Sequence, residues 1–181
     1  MARYIACLRA INVGGHVVKM ERLRVLFAEL GFAKVETFIA SGNVIFESDA
    51  KSADVLQGKI ESRLRAVLGY EVKTFLRSDE ELAKIATYQA FPAQEIAAGG
   101  VVYIAFLQQP PGAATVATLT GHRGQVDEFK VRGREIYWLC WTRFSESEFS
   151  GSKLEKLLGT KTTVRNSTTV KKLAAKYPLP N

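Results

Sequence analysis

Val35-Glu36-Thr37-Phe38-Ile39-Ala40-Ser41-Gly42-Asn43-Val44-Ile45-Phe46-Glu47 is the stretch that decides the fold. Val35 to Ala40 reads as a strand, Ser41-Gly42-Asn43 as a tight turn and Val44 to Glu47 as the returning strand. What flanks this hairpin fixes the topology. Upstream, Tyr4 to Arg9 is a strand with apolar residues on both faces, and Ile11 to Lys19 is a loop. Met20, Leu23, Leu26, Phe27 and Leu30 then share one helical face, and Gly31 stops that helix. Downstream, residues 53–68 form a second helix with Leu56, Ile60, Leu64 and Val67 inward, and Tyr70 to Leu76 is a fourth strand. The order is βαββαβ.

That order is restrictive. A strand–helix–strand crossover is right-handed and gives parallel strands, and the third strand can insert between the first two, antiparallel to both. The result is a split-βαβ, ferredoxin-like unit over residues 1–77. Ser78 and Glu81 make a capping box for a connecting helix ending near Tyr88, and Phe91 to Gly100 is a linker by composition, so residues 78–100 join two halves. The order then repeats over residues 101–166. Val101 to Leu107 is a strand, Ala113 to Leu119 a short helix, Gln125 to Val131 a strand, Gly133 a turn and Glu135 to Trp141 the return. Ser152 and Glu155 make another capping box with Leu154, Leu157 and Leu158 inward, and Thr162 to Arg165 is the last strand. A C-terminal helix and tail occupy 167–181, with Val170 and Leu173 on the apolar side. The element order repeats, but no residue-level repeat is read from the chain. The expected fold class is α+β: two tandem ferredoxin-like units with mainly antiparallel sheets. Strands that are apolar on both faces imply that the halves cover each other or share one extended sheet.

Composition bounds the function. The 181 residues, 47% hydrophobic and 24% charged, suit one large or two small globular domains with a sizeable core. No leader or bilayer-spanning run is read, and Cys7 and Cys140 sit inside apolar runs as buried free thiols, so the expected setting is the cytoplasm with no membrane role. Residues 100–181 carry 12 Lys/Arg against 6 Asp/Glu, a surplus that attracts anions or simply solvates the surface. His16 and His122 have no Cys or carboxylate cluster at metal-ligand spacing around them, no Gly-x-Ser-x-Gly elbow is present, and no residue stands out as acid, base or nucleophile. Neither metal nor cofactor is expected.

Leu8-Arg9-Ala10-Ile11-Asn12-Val13-Gly14-Gly15, Lys19-Met20, Ser41-Gly42-Asn43-Val44 and Thr163-Val164-Arg165-Asn166 resemble segments of the mainly bacterial family catalogued as domain of unknown function 1697. The resemblance spans nearly the whole chain and is strongest over residues 3–47. It implies paired ferredoxin-like units and no assigned activity. The family pattern has Gly where this chain has Ala10, and Trp where it has Ser167.

In a split-βαβ unit the first two strands end, and the third begins, at one sheet edge, so the 11–19 loop and the Ser41-Gly42-Asn43 turn are expected to be neighbours. Gly14-Gly15 can turn successive N–H groups toward an anion, and the following helix start adds its positive dipole end. The candidate ligand-binding set is Arg9, Asn12, Gly14, Gly15, Lys19, Ser41 and Asn43, with Arg165 and Asn166 carried from the resemblance. The expected ligand is small and anionic or phosphate-bearing. The competing explanation is turn chemistry, with Asn12 and Asn43 bonding local backbone. Single-stranded nucleic-acid binding matches the element order and the basic second half, but the stacking aromatics are sparse, so it is not favoured. A protein-interaction module without a ligand is the third reading.

Overall fold

The computed structural model describes residues 1–50, 52–122, 124, 126–150 and 152–179. Its elements run β1 (Ala2–Leu8), α1 (Met20–Glu29), β2 (Ala33–Phe38), β3 (Asn43–Ser48), α2 (Ala53–Leu68), β4 (Thr74–Ser78) and α3 (Asp79–Thr87). Then follow α4 (Ala93–Ala97), β5 (Val101–Phe106), α5 (Ala113–Gly121), β6 (Asp127–Arg132), β7 (Glu135–Cys140), α6 (Ser152–Leu158), β8 (Thr163–Asn166) and α7 (Ser167–Lys176). There are two separate four-stranded antiparallel sheets, ordered β2-β3-β1-β4 and β6-β7-β5-β8, rather than one shared sheet. Both are the split-βαβ order. By their contacts the residues group as Met1–Lys84 with the chain from Leu173 onward, and as Ile85–Lys172. The division therefore falls inside α3 and α7, not at their ends.

In the first unit, α1 and α2 lay Leu23, Leu26, Phe27, Leu56, Ile60 and Leu64 on one sheet face, against Ala6, Leu8, Val44 and Phe46. Burying each large side chain stabilises the fold by about 1.5–3 kcal/mol. The second unit repeats this with Ala105, Leu107, Ile136 and Trp138 against Leu119 and Leu154. The opposite sheet faces are closed too: Ile5, Cys7, Ile45, Phe75, Ile104, Phe106 and Tyr137 are all buried. Cys7 and Cys140 are both buried and are not joined in a disulfide.

Several sequence expectations are corrected by the structure. The fourth strand starts at Thr74, not Tyr70, because its partner β1 ends at Leu8, opposite Thr74. The 91–100 linker holds the short helix α4. Gln125 lies outside the described residues, and the sixth strand is described from Asp127. Leu157 is exposed, because the two-turn α6 gives its inner side to Leu154 and Leu158. The Ser78–Glu81 box forms reciprocally, at 3.1 and 2.9 Å, but α6 begins at Ser152 itself, leaving Ser152 inside the helix rather than at its cap.

The last correction concerns the repeat. Strand register sets Ile5 opposite Arg77 and Ile104 opposite Arg165, which aligns Tyr4-Ile5-Ala6-Cys7-Leu8 with Tyr103-Ile104-Ala105-Phe106-Leu107. The same register aligns Lys73-Thr74-Phe75-Leu76-Arg77-Ser78 with Lys161-Thr162-Thr163-Val164-Arg165-Asn166. A residue-level repeat is therefore present. Its contacts repeat as well. Glu61 accepts from the Thr74 amide at 2.8 Å and from Lys73 Nζ at 3.4 Å. Glu155 accepts from the Thr162 amide at 3.1 Å and from Lys161 Nζ at 3.3 Å. Tyr4 packs on Phe46, and Tyr103 on Trp138, each with ring centroids 5.8 Å apart.

Candidate functional site

The loop between β1 and α1 is held at both ends and projects in the middle. At its start Ala10 turns the chain with φ +54°, a left-handed conformation that disfavours a Cβ, at the position where the resembled pattern has Gly. Ile11 is buried against the β2–β3 turn so closely that a Cβ on Gly42 would stand 2.6 Å from Ile11 Cγ2. Asn12 spans the gap: its Nδ2 donates to Ala40 O at 3.2 Å and its Oδ1 accepts from Val18 N at 2.7 Å. At the far end the His16 ring stacks on Tyr70, centroids 3.8 Å apart, and Val18 is buried. Between these anchors Gly14 and Gly15 are exposed with φ of +63° and +86°.

The turn on the other side is equally tied. Leu8 N donates to Gly42 O at 2.8 Å. Asn43 is buried, and its Nδ2 donates to Phe38 O at 3.2 Å and to Ser41 Oγ at 2.8 Å. Asn12, Ser41 and Asn43 thus build the edge with their own hydrogen bonds, as turn chemistry requires. What remains directed outward is Gly14-Gly15 and the start of α1. The residue before α1, Lys19, is extended and exposed and supplies no side-chain cap. Glu21, the acid of that first turn, is turned aside into an ion pair with Arg24. Arg9 is half-buried at the end of β1, its amide donating to Lys73 O at 2.9 Å.

Four residues of this edge were not singled out from the sequence: Val17, Ile39, His16 and Tyr70. Val17 and Ile39 are 83% and 51% exposed. Ile39 also has φ +52°, strained for a β-branched residue. Tyr70 has its hydroxyl buried without a hydrogen-bond partner, and burial raises its pKa. Only the exposed apolar type at Val17 is visible in sequence; the His16–Tyr70 stack joins residues far apart in the chain.

Arg165 and Asn166 belong to the second unit. Arg165 donates to Val164 O at 3.0 Å and Thr163 Oγ1 at 2.8 Å, as its counterpart Arg77 donates to Leu76 O at 2.7 Å. Asn166 caps α7 by accepting from Thr168 N at 2.8 Å, the role Ser78 plays for α3. Both have repeat counterparts with structural work to do.

These features define a protein of two repeated ferredoxin-like units whose first unit carries an elaborated loop edge. The chain belongs to the family described as protein of unknown function DUF1697, whose model matches residues 1–137. That match includes the whole loop edge and ends before Lys161-Thr162-Thr163-Val164-Arg165. Among solved structures the chain is similar to the conserved bacterial protein SP0830 from Streptococcus pneumoniae, with 24% identity and a TM-score of 0.72, over 96% of this chain and 97% of that one. At that identity the likeness establishes the fold. No curated protein matches the chain. Among the described residues, no helix is long and apolar enough to cross a membrane.

Proposed function

We propose that the loop edge of the first unit binds a small anionic or phosphate-bearing ligand. The observation that carries this reading is the pair of exposed left-handed glycines, Gly14 and Gly15, held between anchored flanks and leading into a helix start that no side chain caps. A glycine turn can direct successive amide N–H groups toward an anion, and the first turn of α1 adds its positive end. Lys19 and Arg9 supply charge, while Asn12, Ser41 and Asn43 act as scaffold rather than as ligand contacts. Arg165 and Asn166 are not needed. A cytoplasmic setting suits the two unbridged thiols. Nucleic-acid binding draws less support, because β3 offers a single aromatic, Phe46, and it is buried in the core of the first unit.

Thermal unfolding in inorganic phosphate, against chloride at equal ionic strength, tests the proposal. A ligand at about a hundred times its Kd adds about 2.7 kcal/mol, a shift of several degrees in Tm. The wild type should show such a phosphate-specific rise and Lys19→Glu should lose it. No rise beyond the chloride control, up to concentrations on the order of 100 mM, would overturn the reading.

A further inference from the structure

We propose that a second, separate site lies in the second unit: a cavity of about 250 Å³ that takes a compact aromatic carboxylate. Its floor is the second sheet's face opposite α5 and α6, formed by Val102, Ile104 and Tyr137, and Phe91 and Ile96 wall it. An engineered cavity of about 150 Å³ holds benzene, so this volume suits one aromatic ring with a short polar arm.

The walls are fixed rather than loose. Tyr88 meets Tyr137 edge-on with centroids 4.8 Å apart, and Arg132 lies 4.4 Å from the Tyr88 ring centroid. Lys130 donates to Ala90 O at 2.7 Å and stands 4.9 Å from the Phe91 ring centroid. Two cations of β6 therefore clamp the 88–91 segment that forms one wall. A preformed apolar cavity of this kind is what small-molecule sites require.

The polar end sets the ligand's charge. Ser167 and Lys171, one turn apart on α7, line the cavity together. Lys171 has no hydrogen bond or ion pair with any described residue. The repeat supplies the contrast. Register places Asp79 and Ala83 where the second unit has Ser167 and Lys171, and Arg3 where it has Val102. The first unit's counterpart thus carries an acid and an arginine where the second offers an apolar wall and a free ammonium. An aromatic ring against Ile104 and Tyr137, with its carboxylate on Lys171, matches this arrangement.

The probes are 3-phenylpropionate, 3-phenylpropan-1-ol and propionate, titrated into the full chain by isothermal calorimetry. Phenylpropionate should bind with one-to-one stoichiometry, the alcohol about tenfold more weakly, and propionate not detectably. Lys171→Met should bring phenylpropionate down to the alcohol's affinity and leave the alcohol unchanged. Ala93→Trp, on the exposed start of α4, should fill the mouth and abolish binding of both, with its folding verified by circular dichroism. Absence of binding to the wild type, full binding by Ala93→Trp, or a Lys171→Met variant that weakens acid and alcohol alike or neither would each overturn the proposal. Lys19→Glu should leave phenylpropionate binding intact, which keeps this site distinct from the loop edge of the first unit.

Discussion

Between its first strand and first helix, the first unit threads a loop from Arg9 to Lys19; the second crosses the same step with the short run Leu107 to Gly112. The hairpins beneath these loops differ in the same sense. Gly42 sits under Ile11 and Leu8, whereas Gly133 stands in a turn where an added Cβ would meet nothing closer than Glu135 Oε2 at 3.7 Å; the bond from Leu8 N to Gly42 O is shared, since Leu107 N donates to Arg134 O. One scaffold thus carries a packed, elaborated edge in one copy and a minimal edge in the other. The second copy instead has its cavity beside α4 and α7. The shared contacts, a glutamate on the last strand's first amide and a capped helix after that strand, are the scaffold. The parts that differ carry the two proposed sites.

Substituting the two turn glycines breaks this comparison most directly. Both have φ above zero, +74° at Gly42 and +60° at Gly133. An alanine at either position pays about 1–2 kcal/mol for the left-handed conformation, partly offset by about 0.4–1 kcal/mol from a stiffer unfolded chain. At Gly42 the new methyl also meets Ile11 Cγ2 at 2.6 Å and Leu8 Cβ at 3.2 Å, and overpacking adds about 1–3 kcal/mol. Urea unfolding should therefore show Gly42→Ala destabilised by about 2–4 kcal/mol and Gly133→Ala by about 1 kcal/mol or less. Equal losses would mean that the first edge is no more tightly built than the second.

The shared scaffold is tested through its two glutamates. Glu61→Ala leaves the Thr74 amide without that acceptor, and Glu155→Ala does the same to the Thr162 amide. Losing the partner of a largely buried amide costs about 1–3 kcal/mol, so each variant should lose about 2 kcal/mol. The two pairs share no partner, so the double variant should lose the sum within about 0.5 kcal/mol. A loss at one glutamate only would show that the repeat is one of sequence and not of energetics.

The comparison also separates what was legible in the chain from what was not. Helical period at Leu23, Leu26 and Phe27, the hairpin at Ser41-Gly42-Asn43 and the Ser78–Glu81 cap are local signals, and the element order with crossover handedness then leaves one topology. The neighbouring of Asn12 with the β2–β3 turn followed from that topology, and the Asn12 bond to Ala40 O shows it. The repeat was hidden because its two matched segments are offset by 99 and 88 positions, so no single period aligns them. Register supplies the alignment, and register is a long-range property. For the same reason the His16–Tyr70 stack and the Ile39 strain were silent: neither is set by near neighbours in sequence. Glu155 reads as a capping-box residue from its spacing to Ser152, yet its carboxylate reaches the start of β8, a contact that appears only once β8 is in place.

The smallest effect concerns where the first unit ends. Tyr177, beyond the second unit's last residues, donates its hydroxyl to Glu36 Oε2 on β2 at 2.7 Å, with Lys176 Nζ 3.5 Å from the same oxygen. That hydroxyl is the main reason the Glu36 carboxyl titrates below its ordinary value, with Lys176 and Arg3 adding to it against desolvation. Glu36 is half-exposed, so solvent screens the contact and Tyr177→Phe should remove only about 0.5 kcal/mol. The sign of its pH dependence is fixed. A carboxyl whose folded pKa is depressed stabilises the fold fully above its unfolded value, near 4.5, and loses that contribution as pH falls through the folded value. Urea midpoints for wild type and Tyr177→Phe should therefore differ at pH 7 and converge as the buffer is taken below the carboxylate range. A gap that persists unchanged in acid would mean that Tyr177 holds the first unit by packing alone.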